Sequence, residues 1–96
     1  MRIVIEAEAR SEINDAVTWY RSGSVETALR LEEEIASSIG RIAERPTLYR
    51  RSDRDLRICR MSQFPYKIIY RAEADEIRIV AFFHTRRDPS IWQSRS

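Results

Sequence analysis

The chain has 96 residues, 43% of them hydrophobic and 33% charged, a size and composition that suit one folded domain over residues 1–96 and exclude disorder and low complexity. A lone cysteine, Cys59, excludes an internal disulfide. One histidine beside it cannot complete a four-ligand structural zinc site, and the longest apolar run, residues 79–83, is far short of the roughly 20 residues that span a bilayer. The net charge of +2 conceals two biases: Lys67 is the only lysine among seventeen cations, and residues 1–48 carry −3 whereas residues 49–96 carry +5. Such a division suggests an acidic partner met by the second half, unless it merely follows codon usage.

From the N-terminus, residues 2–8 alternate Ile3, Ile5 and Ala7 with more polar positions and predict a strand. Glu6 and Glu8 interrupt any continuous apolar stretch, so a signal peptide is not expected. Ile13, Ala16, Val17 and Tyr20 then mark one face of a helix ending near Gly23. Ser24 is placed to cap a second helix whose apolar positions are Val25, Ala28, Leu31, Ile35, Ile39 and Ile42, closed by Pro46. So short a link between two amphipathic helices predicts an antiparallel hairpin.

Residues 47–54 read as a polar loop. Beyond it the period falls to two, with strands predicted over 55–61, 66–72 and 77–84, the last the most apolar and therefore the most central. Phe64-Pro65 and residues 73–76 supply the turns. Asp88-Pro89 fits the N-cap and first position of a short C-terminal turn carrying Trp92. The fold class is α+β in the order β-α-α-β-β-β, a helical hairpin packed on a mainly antiparallel sheet with a short C-terminal turn or helix.

With that order, several segments acquire a family likeness: Trp19-Tyr20, the run from Arg45 to Tyr49, the run from Phe64 to Tyr70, and the run from His84 to Trp92. Together they resemble the RelE/ParE toxin superfamily, with the second hairpin and C-terminal segment similar to its ParE branch. The resemblance implies a bacterial, cytoplasmic toxin of a type II toxin–antitoxin system, of the kind associated with plasmid stabilisation. Its implied partners are a cognate antitoxin protein and DNA gyrase, with operator DNA reached only through the antitoxin and no membrane or cofactor involved. The RelE branch implies the alternative of metal-independent mRNA cleavage on the ribosome. A member that has lost toxicity and serves as an antitoxin-bound partner is a third possibility.

Metal-free RNA cleavage needs a base, an acid and cations for the phosphorane. The positions corresponding to RelE-type catalytic groups are Arg57, Arg60, His84 and Arg86. Of these only His84 titrates near neutrality, since arginine stays protonated. No catalytic set is therefore assigned. Arg86, Arg87, Trp92 and Arg95, crowded at the C-terminal end, are the expected target-binding residues, and the antitoxin-binding residues are not specified. His84 and Trp92 each admit a structural role as well, the one bonded to the following turn, the other covering the open end of the sheet. Alternation puts His84 on the face of Val80 and Phe82. Arg57, Lys67, Arg71 and Arg78, at alternating strand positions, are read either as a shared binding face or as a solvated one. Cys59 is expected to be a small buried hydrophobe.

Overall fold

A computed structural model describes residues 1–52 and 54–95; Asp53, within the expected loop, and Ser96 lie outside the described residues. The order is β1 (Arg2–Ile5), α1 (Ala7–Gly23), α2 (Val25–Glu44), β2 (Leu56–Arg60), β3 (Tyr66–Ala72), β4 (Glu76–His84) and α3 (Ser90–Gln93). The strands form one sheet in the order β1-β4-β3-β2. β1 runs parallel to β4, and the other two pairings are antiparallel. The predicted order and hairpin are as observed.

The first strand is shorter than its alternation suggests. Ala7, Glu8, Ala9 and Arg10 are good helix formers, and the helix takes them from Ala7 onward. Ala9 is thereby fully buried. Ser24 caps α2 as expected, its hydroxyl accepting from the Thr27 N–H at 3.2 Å. Ser24→Ala should cost about 1 kcal/mol in unfolding free energy, measured by urea titration, because an orphan donor of the first turn loses its acceptor. Val25, expected on the apolar face, is exposed, and Ser38 takes a fully buried place on that helix.

Two apolar layers flank the sheet. On the inner side Val17, Leu31, Ile35 and Ile42 pack on Cys59, Ile68, Tyr70, Ile77, Ile79 and Phe82. On the outer side Leu56, Ile69, Val80, Ala81 and Phe83 are covered by Trp92. The Tyr70 hydroxyl donates to the Pro46 carbonyl at 2.6 Å and ties the end of the hairpin to the sheet. Burial pushes the Tyr70 hydroxyl up to about 12. On α2, Glu34 accepts from the Ser62 N–H at 2.6 Å, the Ser62 hydroxyl at 2.9 Å and the Gln63 N–H at 3.2 Å, fixing the β2–β3 turn.

The alternation of β4 breaks at one residue. Ile69 pairs with Ala81 and Tyr70 with Ile79, so Val80 is left over as a bulge. Ile77 and Ile79 face the helices before it, and Phe82 does so after it. His84 therefore shares a face with Phe82 but not, as strict alternation required, with Val80.

Candidate functional site

The segment after β4 is organised by His84. Its Nδ1 accepts from the Arg86 N–H at 3.1 Å, and its carbonyl accepts from the Arg87 N–H at 3.1 Å. With Nδ1 engaged as an acceptor, Nε2 is the ring nitrogen left to donate. The ring stands edge-on to Tyr66 at 5.2 Å, and Tyr66 stacks on Phe82 at 4.6 Å. The bond from the Arg86 N–H is the tie to the following turn expected of a structural histidine, and the ring also lines a cleft.

Beside this segment lies a cleft of about 280 Å³. One wall is α1, through Glu12, Asp15 and Trp19; the other is the end of the sheet, through Tyr66, Phe82 and His84, with Arg87 also at the cleft. Trp19 is 69% exposed, an unusual state for an indole that also touches Tyr20 edge-on at 4.9 Å. The Tyr66 hydroxyl is pushed up, by burial first and by Tyr20 second, with Arg87 opposing. Asp15 and Glu12 thus put carboxylates opposite an aromatic wall.

The four residues expected to bind a target part company. Arg86 and Arg87 are exposed, the Arg87 guanidinium lying 5.2 Å over the Phe83 ring. Trp92 is 1% exposed and belongs to the outer core. Arg95 folds back onto α1, its guanidinium donating to Glu12 at 3.0 Å and to the Val80 carbonyl at 3.3 Å, with Glu8 at 3.3 Å. α3 begins one residue later than predicted: Pro89 holds the N-cap position, and Asp88 accepts from the Ser90 N–H at 3.0 Å. That bond holds the Asp88 carboxyl below its usual range.

The four positions corresponding to a RelE-type nuclease are not gathered either. Arg57 shares the helix-side face with its Cα partner Tyr70 and spends its guanidinium on the carbonyls of Thr47 at 3.2 Å and Tyr49 at 2.8 Å. Arg60 stands opposite Lys67, on the outer face. His84 lines the cleft on the helix side, and Arg86 follows it. Of the strand cations read as sharing a face, Lys67, Arg71 and Arg78 do so by alternation, and Arg57 does not. Arg78 bonds Glu76 at 3.1 Å and Glu6 at 3.4 Å, and Arg71 lies 3.8 Å from Glu73.

Sequence reasoning overlooked Glu12 and Asp15 as cleft residues and the burial of Lys67. Trp19 had a visible signal, since a large aromatic stands just off the apolar stripe of Ile13, Ala16, Val17 and Tyr20. The pairing of Glu12 with Arg95 joins opposite ends of the chain and leaves no local pattern. No group of three or more histidine, cysteine or acidic residues able to hold a metal ion occurs among the described residues, and no helix among them is long and apolar enough to cross a membrane.

Three comparisons bear on this geometry. No curated protein matches the chain. Among solved structures, a chain described as "Chromosomal ParDE TA system from P. aeruginosa" superposes with a TM-score of 0.75 at 18% identity, over 90% of this chain and 97% of that one. At that identity the likeness is one of fold. The sequence profile of the family described as "ParE toxin of type II toxin-antitoxin system, parDE" matches residues 3–89. A match over nearly the whole chain, on a fold of the same topology, means that the chain belongs to the ParE family of type II toxin–antitoxin toxins.

Proposed function

We propose that this protein is a toxin kept inactive by a cognate antitoxin protein and that, when free in the cytoplasm, it inhibits DNA gyrase by binding it through Arg86 and Arg87. The observation that carries this reading is the contrast at the C-terminal rim. Two exposed arginines follow β4 beside a cleft, while the groups that metal-free RNA cleavage would need are divided between the two faces of the sheet. Guanidinium groups hold carboxylates and phosphates well and transfer protons badly. Trp92 and Arg95 serve the same rim from within, by fixing the chain that presents it.

A supercoiling assay run beside ribosome-dependent mRNA cleavage tests the proposal. The purified chain is expected to stop supercoiling and leave mRNA intact. Arg86→Ala with Arg87→Ala should raise the concentration needed on the order of tenfold or more, with antitoxin binding and the melting temperature unchanged. His84→Ala, which removes one bond to the segment presenting the two arginines, should weaken inhibition less than the double arginine variant does. Cleaved mRNA with normal supercoiling would replace this reading by the ribosome-dependent endoribonuclease, and unhindered growth without antitoxin would leave a non-toxic partner protein.

A further inference from the structure

The two edges of the sheet are finished differently. At β2 the chain covers its own edge: the Ile58 N–H donates to the Arg50 carbonyl at 3.0 Å and the Ser52 N–H to the Leu56 carbonyl at 2.6 Å. At β1 the order β1-β4-β3-β2 ends, and no strand lies beyond it among the described residues. Edges left open are commonly blunted by proline, lysine, a bulge or a covering segment. Residues 2–6 contain no proline, lysine or glycine, and the β1–β4 register runs from Arg2 to Ile5 without a shift. Ile3 is 36% exposed there, and the Arg2 side chain 77%.

The hydrogen-bond phase fixes what the open side offers. The Arg2 N–H donates to the Asp75 carbonyl and the Glu6 N–H to the Ile79 carbonyl, both at 3.0 Å, so the even-numbered residues turn their backbone groups toward β4. Ile3 and Ile5 turn theirs outward, where no backbone partner meets them among the described residues. Ile5 packs its side chain on the inner core, whereas Arg2 and Glu6 extend on the other face to Glu76 at 2.6 Å and Arg78 at 3.4 Å.

The segment Arg2-Ile3-Val4-Ile5-Glu6 is its own complement when reversed. Laid antiparallel on a second copy about Val4, it sets Ile3 opposite Ile5, and each such pair exchanges both of its N–H···O bonds, as the phase requires. Arg2 then stands opposite Glu6 of the second copy, in the closer positions between the bonded pairs. The charges continue outward to Glu76 on one side and to Arg78 of the second copy on the other, alternating in sign. A parallel copy in register would oppose like charges. An antiparallel copy shifted by two residues would set Arg2 or Glu6 opposite Val4.

We propose that β1 is a homodimer interface, at which two copies of this chain pair their first strands antiparallel about Val4 and join two four-stranded sheets into one. The surface is self-complementary, as a twofold contact requires. One pair of short strands buries less than the roughly 1,200 Å² at which standard interfaces begin, so the dimer should exchange with monomer at concentrations on the order of tens of micromolar. The pairing reaches only the Glu76–Ile79 stretch of β4, and Arg86 and Arg87 follow its other end. Nothing in it depends on gyrase being the target.

Sedimentation velocity of the full chain over a dilution series should show monomer passing to dimer. Amide hydrogen exchange should show the Ile3 and Ile5 N–H groups becoming protected as dimer forms, while the Val4 N–H, within the β1–β4 ladder, is protected throughout. Ile3→Pro removes an outward N–H without touching that ladder and should weaken self-association roughly tenfold or more. Arg2→Glu and Glu6→Arg each oppose like charges across the twofold and should also weaken it roughly tenfold or more. Mixing those two variants sets opposite charges together at both ends of the strand pair, so the mixture should regain the parent's association as a heterodimer. Rescue by mixing separates a lost interface from a damaged fold, because each variant keeps its own internal defect. A mass that stays monomeric at every concentration, undiminished association of Ile3→Pro, or a mixture no stronger than its components would each overturn the proposal. So would an antitoxin that protects Ile3 and Ile5 in a complex with a single toxin copy, since the edge would then have a different occupant. None of these readouts involves supercoiling, so failure here and failure of the gyrase reading are distinguishable.

Discussion

Trp92→Ala should lower the unfolding free energy by about 3–5 kcal/mol, seen as a large fall in the urea midpoint. The indole closes the outer layer over Leu56, Ile69, Val80, Ala81 and Phe83, meeting the Phe83 ring edge-on at 6.3 Å. It is also the only buried residue of α3, so that short helix has little else to hold it in place. Domains of this size have only about 5–15 kcal/mol to lose. The variant should therefore lose antitoxin binding and toxicity together, through the fold. Arg86→Ala and Arg87→Ala should separate them. Trp92→Phe retains a ring in the layer and should fall between parent and alanine. A midpoint unchanged in Trp92→Ala would remove the core role and return Trp92 to the target-binding surface.

Glu12→Ala should cost about 3 kcal/mol, more than its place on a helix beside an open cleft suggests. Its carboxylate accepts from the Phe82 N–H at 3.1 Å and from the Arg95 guanidinium at 3.0 Å. The two side chains are only 18% and 13% exposed, so screening by solvent and salt is weak. Removing Glu12 leaves the Phe82 N–H without its acceptor and the Arg95 guanidinium with the Val80 carbonyl as its remaining buried one. Glu8, at 67% exposure, can replace little of that interaction. A double-mutant cycle of Glu12→Ala with Arg95→Ala should show coupling of about 1–3 kcal/mol, and that coupling should survive added salt. Strictly additive effects would mean that the pair does not cooperate. Lost activity in Arg95→Ala alone is thus expected to reflect stability before contact with a target.

The parts of this molecule that could be read in advance are those governed by short repeats. The stripe of Ala28, Leu31, Ile35 and Ile42 appears in the sequence because a helix must bury one face. The alternation of Tyr66, Ile68 and Tyr70 appears because a strand presents two. Ser24 was legible because capping chemistry is local. What escaped notice depends on neighbours distant in the chain. Residues 6–8 satisfy both a strand pattern and a helix pattern, and the propensity of the alanines and the burial of Ala9 settle the matter. Val80 gives no sign that β3 will pass it over. Lys67 alternates with Ile68 as a surface lysine would, and only the arrival of Trp92 from the C-terminus covers it. The candidate site was legible to the same degree: the basic segment Arg86-Arg87 was visible, whereas the distinction between its exposed arginines and the engaged Arg95 needed the third dimension.

The leftover Val80 also bears on folding fidelity. Strands normally resist slipping because a shift by one residue would expose their apolar side, but β4 offers apolar residues to both layers. A slipped β4 would still bury hydrophobic side chains, and hydrophobicity alone would correct the error poorly. Discrimination falls to the polar contacts that β4 makes with other elements: Arg78 with Glu6, Glu76 with Arg2, and the Phe82 N–H with Glu12. These contacts act as proofreading marks for the strand, and a chain that mispaired before they formed would be a kinetic trap with a nearly native core.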